Sequence, residues 1–382
     1  MGRKGNRFGF ILHYESLDEV VEGYAARLGM AGTLLRSLPP GVLKRLMLLV
    51  PPFPWFELGS FRSRSGSATE GFVIACPFIP EHVATSGEER ILRKLIQSVR
   101  LAERLGAKIV GLAGFTSVIG NGGEHVGRVV QVPVTSGNTY TAALVIQGIR
   151  RAADLMGVNL SRSTLAVIGA TGDIGSACSR IFAEEVAQLN LAARREPYLR
   201  EFAGSLHGRA RVVVKKYVKD AVRDADIIVT VTSAITTLIE AEDVKPRAIV
   251  CDVAIPHNVA LDLVRRRDDV LAFEGGLAKL PGRLESEGPD WQRFSPDGQT
   301  IYGCLAETML LALEERWESF SVGRGNITQG RIHEISQMAS RHGIALADFR
   351  YDGKVISDDS IRVIAENARR GREQELIELA RA

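Results

Sequence analysis

Four cysteines, Cys76, Cys178, Cys251 and Cys304, are scattered through 382 residues. None forms a Cys-x-x-Cys pair or falls near a histidine at metal-ligand spacing, so the residues argue against a zinc site. The chain also lacks a bilayer-spanning run. Its longest apolar stretch, LLRSLPPGVLKRLMLLVPPFPWF at 34–56, is broken by prolines and by Lys44 and Arg45 well short of the roughly 20 residues a span needs. The opening MGRKGNRFGF is basic but has neither the apolar stretch nor the small-residue cleavage site of a secretory signal, and a cytosolic setting is expected. Runs of Lys and Arg with interleaved aromatics are missing, and the net charge is only +3, which argues against nucleic acid as a partner. Several catalytic signatures are absent too. No tyrosine is followed four residues on by lysine, and no G-x-S-x-G elbow, H-E-x-x-H helix or Walker loop occurs.

What is present suits an enzyme-like globular chain: 45% apolar and 24% charged, and long enough for two domains or two plus a tail. A strand over 7–12, a helix over 17–28 and a hairpin around Ser-Gly-Ser at 65–67 are expected first. Apolar residues from Ile91 to Leu105 recur at helical spacing. They leave Arg90, Arg93, Lys94, Arg100 and Arg104 as a basic face that is either solvated or a dock for an acidic partner. A further helix opens at TSGNT, 135–139, and stops at Gly157. From 163 onward, short apolar strands at 165–168, 189–193, 211–214, 227–231, 248–253 and 270–273 alternate with helical stretches, the pattern of a doubly wound parallel sheet. A helix over 304–317 and a charged helical tail close the chain.

LAVIGATGDIGSA sets Gly169, Gly172 and Gly175 between a buried strand and a helix, with Thr171, Asp173 and Ile174 between them. A glycine turn of this kind lets the backbone approach a pyrophosphate, and the helix N-terminus then holds the anion; the alternative is a tight packing turn. An NAD site usually carries an acidic residue at the end of the next strand. Here the chain reads LAARR, so Arg194 and Arg195 favour the 2′-phosphate of NADPH, unless they are simply a solvated pair. Thr232 and Ser233, where a later strand ends, are candidates for the nicotinamide side by analogy of fold.

Cys76, Cys178 and Cys251 read as small core residues. Cys304 follows Gly303 at a helix start, where the helix dipole is expected to lower the thiol pKa and favour a nucleophilic thiolate. Glu307, one turn on, reads as a first-turn helix carboxylate. His13 and His257 follow strands and are given no role, since a lone histidine is more often structural.

From FGFILHYESLDEV through GFTSVIG, TSGNTYTAALV, AVIGATGDIGSA and FEGGLAKLPG to CLAETMLLALEERWESFSVGRGNIT, roughly residues 8–345, the chain resembles the long-chain acyl-[acyl-carrier-protein] reductases of cyanobacteria. The resemblance implies NADPH-dependent reduction of a fatty acyl thioester, carried by acyl carrier protein or coenzyme A, to a fatty aldehyde. The family's nucleophilic cysteine falls on Cys304 and its NADPH turn on residues 169–175. Ser136, Asn138 and Thr139 are candidates to hold the developing oxyanion; the same segment also reads as a helix cap. The expected architecture is α/β: an N-terminal α/β substrate domain over 1–137, a Rossmann-type domain over 138–320 carrying the nucleophile helix, and a helical C-terminal extension over 321–382. Other NADP-dependent enzymes on this frame, shikimate-dehydrogenase-like or glutamyl-tRNA-reductase-like, remain open, as does a non-catalytic NADP-binding regulator. Residues 34–56 are expected to pack in the core, or else to rest on a membrane surface as the mouth of an acyl-chain tunnel.

Overall fold

A computed structural model describes residues 6–28, 37–286 and 291–381. The apolar stretch at 34–56 therefore begins, at Leu34, Leu35 and Arg36, outside the described residues. The chain forms two compact units that are not consecutive in sequence. One comprises Met1–Tyr140, Ala278–Asn326 and Glu334–Ala345; the other comprises Thr141–Leu277, Ile327–His333 and Leu346–Ala382.

The first unit is built on a five-stranded mixed sheet. Arg7–Leu12 lies at its centre, parallel to Ala68–Ala75 on one side and to Ile109–Leu112 on the other, with Val134–Thr135 at one edge and Phe53–Arg62 at the opposite one. The Glu88–Arg104 helix packs Ile91, Leu95, Val99 and Ala102 into the core beneath this sheet. Its arginines at 90, 93, 100 and 104 are exposed as the periodicity predicts. Lys94 departs from that expectation: it is buried, and its Nζ donates to the carbonyls of Leu48 and Val50. A lysine that pins a neighbouring segment in this way is removed from any docking face.

The Gly303–Leu313 helix is buried almost all round, as its apolar sequence requires. Gly111, in the central sheet, makes room for it, since a Cβ there would lie 2.1 Å from Thr308 Oγ1. The helix stops short of the expected 317; its last turn gives way to Glu315 in the left-handed region at φ 53°.

The second unit is the doubly wound sheet. Its six strands, all parallel, lie in the order Leu271–Glu274, Ile249–Asp252, Ile227–Thr230, Thr164–Ile168, Gln188–Ala192, Arg211–Val214. Numbered along the chain this is 6-5-4-1-2-3, the dinucleotide-binding order. The Asn138–Met156 helix ends at Gly157, whose φ of +62° is left-handed.

Two boundaries differ from expectation. The Gly303–Leu313 helix belongs to the first unit, not to the dinucleotide-binding one. The C-terminal segment is not purely helical: Arg350–Tyr351 and Lys354–Val355 form a hairpin before the Asp358–Arg381 helix. Nor is it a mere appendage, because Phe349, Ile361 and Ala365 complete the core of the second unit. Among the described residues no helix is long and apolar enough to cross a membrane.

Candidate functional site

The glycine turn leaves the Thr164–Ile168 strand and enters the Asp173–Phe182 helix. Its three glycines do different work. Gly169 takes φ +90°, and a Cβ on it would fall 2.4 Å from the Val231 carbonyl oxygen; a Cβ on Gly175 would fall 2.3 Å from the Gly169 oxygen. These two are required by the turn and by helix-strand packing. Gly172 is the helix N-cap, is exposed, and would meet nothing nearer than 3.3 Å. It marks where a ligand's phosphate can approach the first-turn N–H groups contributed by Asp173 and Ile174. Thr171 is half-buried beside it.

Arg194 and Arg195 follow the neighbouring strand and are both exposed. Arg194 Nη2 donates to Ser233 Oγ at 3.1 Å, while Arg195 lies over the Tyr198 ring at 5.9 Å. The nearest acid, Glu196, is paired with Arg200 one helical turn on. The residues thus suit a 2′-phosphate better than a bare ribose diol. Ser233 is joined to Arg194 by that bond. Thr232 is committed to the fold: its hydroxyl donates to Asn258 Oδ1 at 2.6 Å and accepts from the Ala234 N–H at 3.0 Å.

Asn258 itself escaped the sequence reading. It is buried, accepts from Thr230 and Thr232, and donates to the carbonyls of Ala234 and Thr236, so it ties two loops together at the carboxyl edge of the sheet. Buried Asp252 supports the same loop by accepting the N–H groups of Ala254, Asn258 and Val259, and its Oδ2 lies 3.2 Å from Nδ1 of His257. The signal was the run DVAIPHN: a carboxylate ending an apolar strand, followed by a side chain with both donors and acceptors.

The second centre lies wholly within the first unit. Cys304 is the second residue of its helix and half-buried, whereas Cys76, Cys178 and Cys251 are buried. Gly137 of TSGNT packs against it: with φ +73°, a Cβ there would lie 2.1 Å from the Cys304 Cα and 2.4 Å from its Cβ. The expectation of a lowered thiol pKa is not met. Burial pushes the Cys304 thiol up to about 12, Glu307 adds to the rise, and the N–H groups of Leu305 and of Cys304 itself oppose it without prevailing. Desolvation outweighs these backbone donors here.

The three candidate oxyanion donors separate. Thr139 is fully buried, its hydroxyl and N–H both engaged by Ser321 Oγ, which removes it from the reacting group. Ser136 is buried too; its N–H donates to the Ser321 carbonyl and its Oγ accepts from the Asn138 N–H at 3.4 Å, a helix-capping arrangement. Asn138, half-buried at the helix start, is the remaining candidate.

Glu307 is not a surface carboxylate. It is buried, and takes the Thr135 hydroxyl, the Tyr140 N–H at 2.8 Å, the Ser321 hydroxyl and the Thr139 N–H. Burial raises its pKa and these donors pull it back. It joins the Cys304 helix to the TSGNT segment. His13 is structural: Nδ1 donates to the Tyr14 carbonyl, Nε2 accepts from the Phe115 N–H, and burial lowers its pKa to about 4, which keeps the ring neutral.

Comparison with known proteins agrees with the division of the chain. A family model described as shikimate / quinate 5-dehydrogenase matches residues 150–273, within the second unit. The chain is 28% identical over 357 residues to the long-chain acyl-[acyl-carrier-protein] reductase of Synechococcus elongatus, covering 88% of this chain and 97% of that protein. It is 27% identical over 362 residues to aminotransferase PigE of a Serratia species, covering 94% of this chain but only 41% of the relative's length. A glutamyl-tRNA reductase from Caldivirga maquilingensis is 30% identical over 181 residues, 46% of this chain and 42% of its own. The chain is thus distantly similar to reductases and has their type of dinucleotide-binding fold.

Proposed function

We propose that this protein reduces long-chain acyl thioesters to fatty aldehydes with NADPH, through an acyl group carried on Cys304. The observation that carries the reading is the pairing of a half-buried cysteine with a left-handed glycine packed against it. Similarity along nearly the whole length of the Synechococcus reductase supports it.

In this reading Gly172 and the start of the Asp173–Phe182 helix hold the cofactor's pyrophosphate, and Arg194, steadied by Ser233, holds the 2′-phosphate together with Arg195. When bound, NADPH supplies the hydride that reduces the thioester carbonyl. Cys304 attacks the incoming thioester, expels the carrier thiol and keeps the acyl group as its own thioester; Asn138 stabilises the oxygen on which charge develops. Because burial holds the resting thiol neutral, its proton must leave as the acyl group is transferred. Glu307 is a positioning residue, fixing the helix of Cys304 to the segment bearing Asn138.

The exposed arginines of the Glu88–Arg104 helix give an acidic carrier protein a surface to meet; coenzyme A thioesters are the alternative donors. Peripheral membrane contact through the Pro40–Met47 helix completes the proposal, giving a poorly soluble aldehyde a route into lipid.

The test is incubation with long-chain acyl-carrier protein in the absence of NADPH, followed by digestion and mass spectrometry. An acyl adduct should appear on Cys304, and Cys304→Ala should abolish both adduct and aldehyde while NADPH still binds. Full aldehyde formation by Cys304→Ala overturns the reading and favours a dehydrogenase that needs no cysteine, as the shikimate / quinate 5-dehydrogenase match would suggest.

A further inference from the structure

Apart from these two centres, the first unit has an open, largely polar cleft of about 410 Å³ whose wall includes Ser65, Leu313, Glu314, Arg341 and His342. Its polar side is one connected chain of hydrogen bonds. His342 ends the Gln329–His342 helix and is 3% exposed. Its Nε2 lies 3.0 Å from Glu314 Oε1, the same oxygen that accepts from Arg341 Nε and Nη2 at 3.0 and 2.7 Å. A carboxylate beside a guanidinium serves as an acceptor, so Nε2 carries the imidazole proton and Nδ1 is left with its lone pair.

Two hydroxyls face that lone pair, Ser63 Oγ at 2.9 Å and Ser65 Oγ at 3.0 Å. Each has a single proton to give. Ser63 is buried and has a second acceptor in the Ser67 carbonyl at 3.2 Å; Ser65 is exposed, stands on the cavity wall and lies 3.0 Å from Ser63 Oγ, and its own second acceptor, Ser67 Oγ at 3.3 Å, is farther than Nδ1. Sending the Ser63 proton to the carbonyl and the Ser65 proton to Nδ1 leaves both acceptors satisfied.

The backbone fixes this geometry. Residues 63–67 form the tip between Phe53–Arg62 and Ala68–Ala75, tightened by the Gly66 N–H donating to the Ser63 carbonyl with Gly66 at φ +90°. The Arg64 N–H donates to the His342 carbonyl at 3.0 Å, which ties the residue preceding Ser65 to His342 through the main chain. Gly343, at φ +73°, permits the approach: a Cβ on it would meet the Arg64 Cβ at 2.9 Å. Among the described residues no acceptor takes the Ser65 N–H. A nucleophile's own N–H is a recurrent donor to the oxyanion it creates.

We propose that Ser65, His342 and Glu314 form a second active site, which hydrolyses small carboxylic esters. Ser65 Oγ forms a bond to the ester carbonyl carbon as its proton passes to His342 Nδ1, and the carbonyl electron pair moves onto the oxygen facing the Ser65 N–H. Collapse of that adduct breaks the bond to the leaving alkoxide, which takes the proton from Nδ1. Water then attacks the acyl-serine by the same proton path, releasing the carboxylic acid and restoring Ser65. Glu314, braced by Arg341, keeps the ring in the tautomer this requires. A cavity of this volume is at the lower end of the usual range for small-molecule sites, which sets the size class of the substrate. Neither Cys304 nor a cofactor takes part, so this activity stands apart from the thioester reduction.

The full chain should be treated with a fluorophosphonate probe and assayed for p-nitrophenyl acetate hydrolysis. Mass spectrometry should find the probe on Ser65. Ser65→Ala should lose the label and lower hydrolysis by about a hundredfold or more with an unchanged thermal midpoint, while Ser63→Ala keeps the label. An unlabelled Ser65, or equal hydrolysis by Ser65→Ala, overturns the proposal. Because His342 is buried, its role as base is read without removing it. Ser65→Cys should alkylate with iodoacetamide along a pH profile whose inflection lies below the usual thiol value of about 8.5, and an inflection at or above that value overturns the proposal.

Discussion

Gly137 and Cys304 are packed so closely that a Cβ on Gly137 would lie 2.1 Å from the Cys304 Cα, a contact that glycine alone permits at φ +73°. The loop and the cysteine are therefore placed by each other. Gly137→Ala would have to relieve both the overlap and the left-handed backbone, at a cost of about 2–5 kcal/mol. It should lower the urea midpoint and cut the yield of acyl adduct on Cys304 more than Cys76→Ala does. Unchanged stability and adduct yield would show that the loop yields freely.

The raised pKa of Cys304 predicts a slow, pH-steep nucleophile in the free protein. With the thiol pushed up to about 12, the thiolate fraction grows about tenfold for each pH unit through the neutral range. Alkylation of Cys304 by iodoacetamide should rise in that proportion from about pH 7 to 9 without a plateau. Since burial is the larger cause and Glu307 the smallest, Glu307→Gln should move this profile little. A plateau below pH 8 would mean that the helix dipole prevails after all.

Arg194 and Arg195 should set cofactor preference. Replacing both by glutamine is expected to remove charge-assisted contacts worth about 1.5–3 kcal/mol, and so to weaken NADPH binding roughly tenfold to a hundredfold while NADH binding changes little. Titration by nicotinamide fluorescence gives both constants. Equal losses for the two cofactors would assign the arginines to the fold, with Arg194 serving mainly its bond to Ser233.

The second unit was the most legible part of the chain. Strands buried on both faces of a parallel sheet are apolar along their whole length, so all six runs read from sequence agree with the observed strands to within one residue at each end. The glycine turn was legible for the same local reason. What failed depended on distant residues. The helix start at Cys304 is visible in sequence, whereas the burial that raises its thiol depends on packing with residues far along the chain, Gly137 among them. Lys94 falls on the helical periodicity's polar side, yet carbonyls more than 40 residues away make burial tolerable. The return of residues 278–326 to the first unit has no local signature at all. The tail hairpin was legible and passed over: Asp352-Gly353, both at positive φ, is the turn pair such a hairpin favours.

The apolar stretch at 34–56 divides in a way neither expectation anticipated. Met47, Trp55 and Phe56 are buried, but Val42, Leu46 and Leu49 are 42%, 44% and 70% exposed. The Pro40–Met47 helix thus presents apolar side chains to solvent close in sequence to Lys44 and Arg45. Basic residues near an anionic bilayer each add about 1 kcal/mol of attraction, and leucines that insert add to it. The protein should therefore float with vesicles containing phosphatidylserine and lose that binding at high salt. Leu46→Glu with Leu49→Glu should abolish flotation while leaving NADPH affinity unchanged and shifting stability by no more than about 0.5 kcal/mol per site, because both side chains are already exposed. If the parent protein stays at the bottom of the gradient, or if the double variant floats as well as the parent, these exposed apolar residues make no membrane contact and the proposed route of product into lipid is wrong.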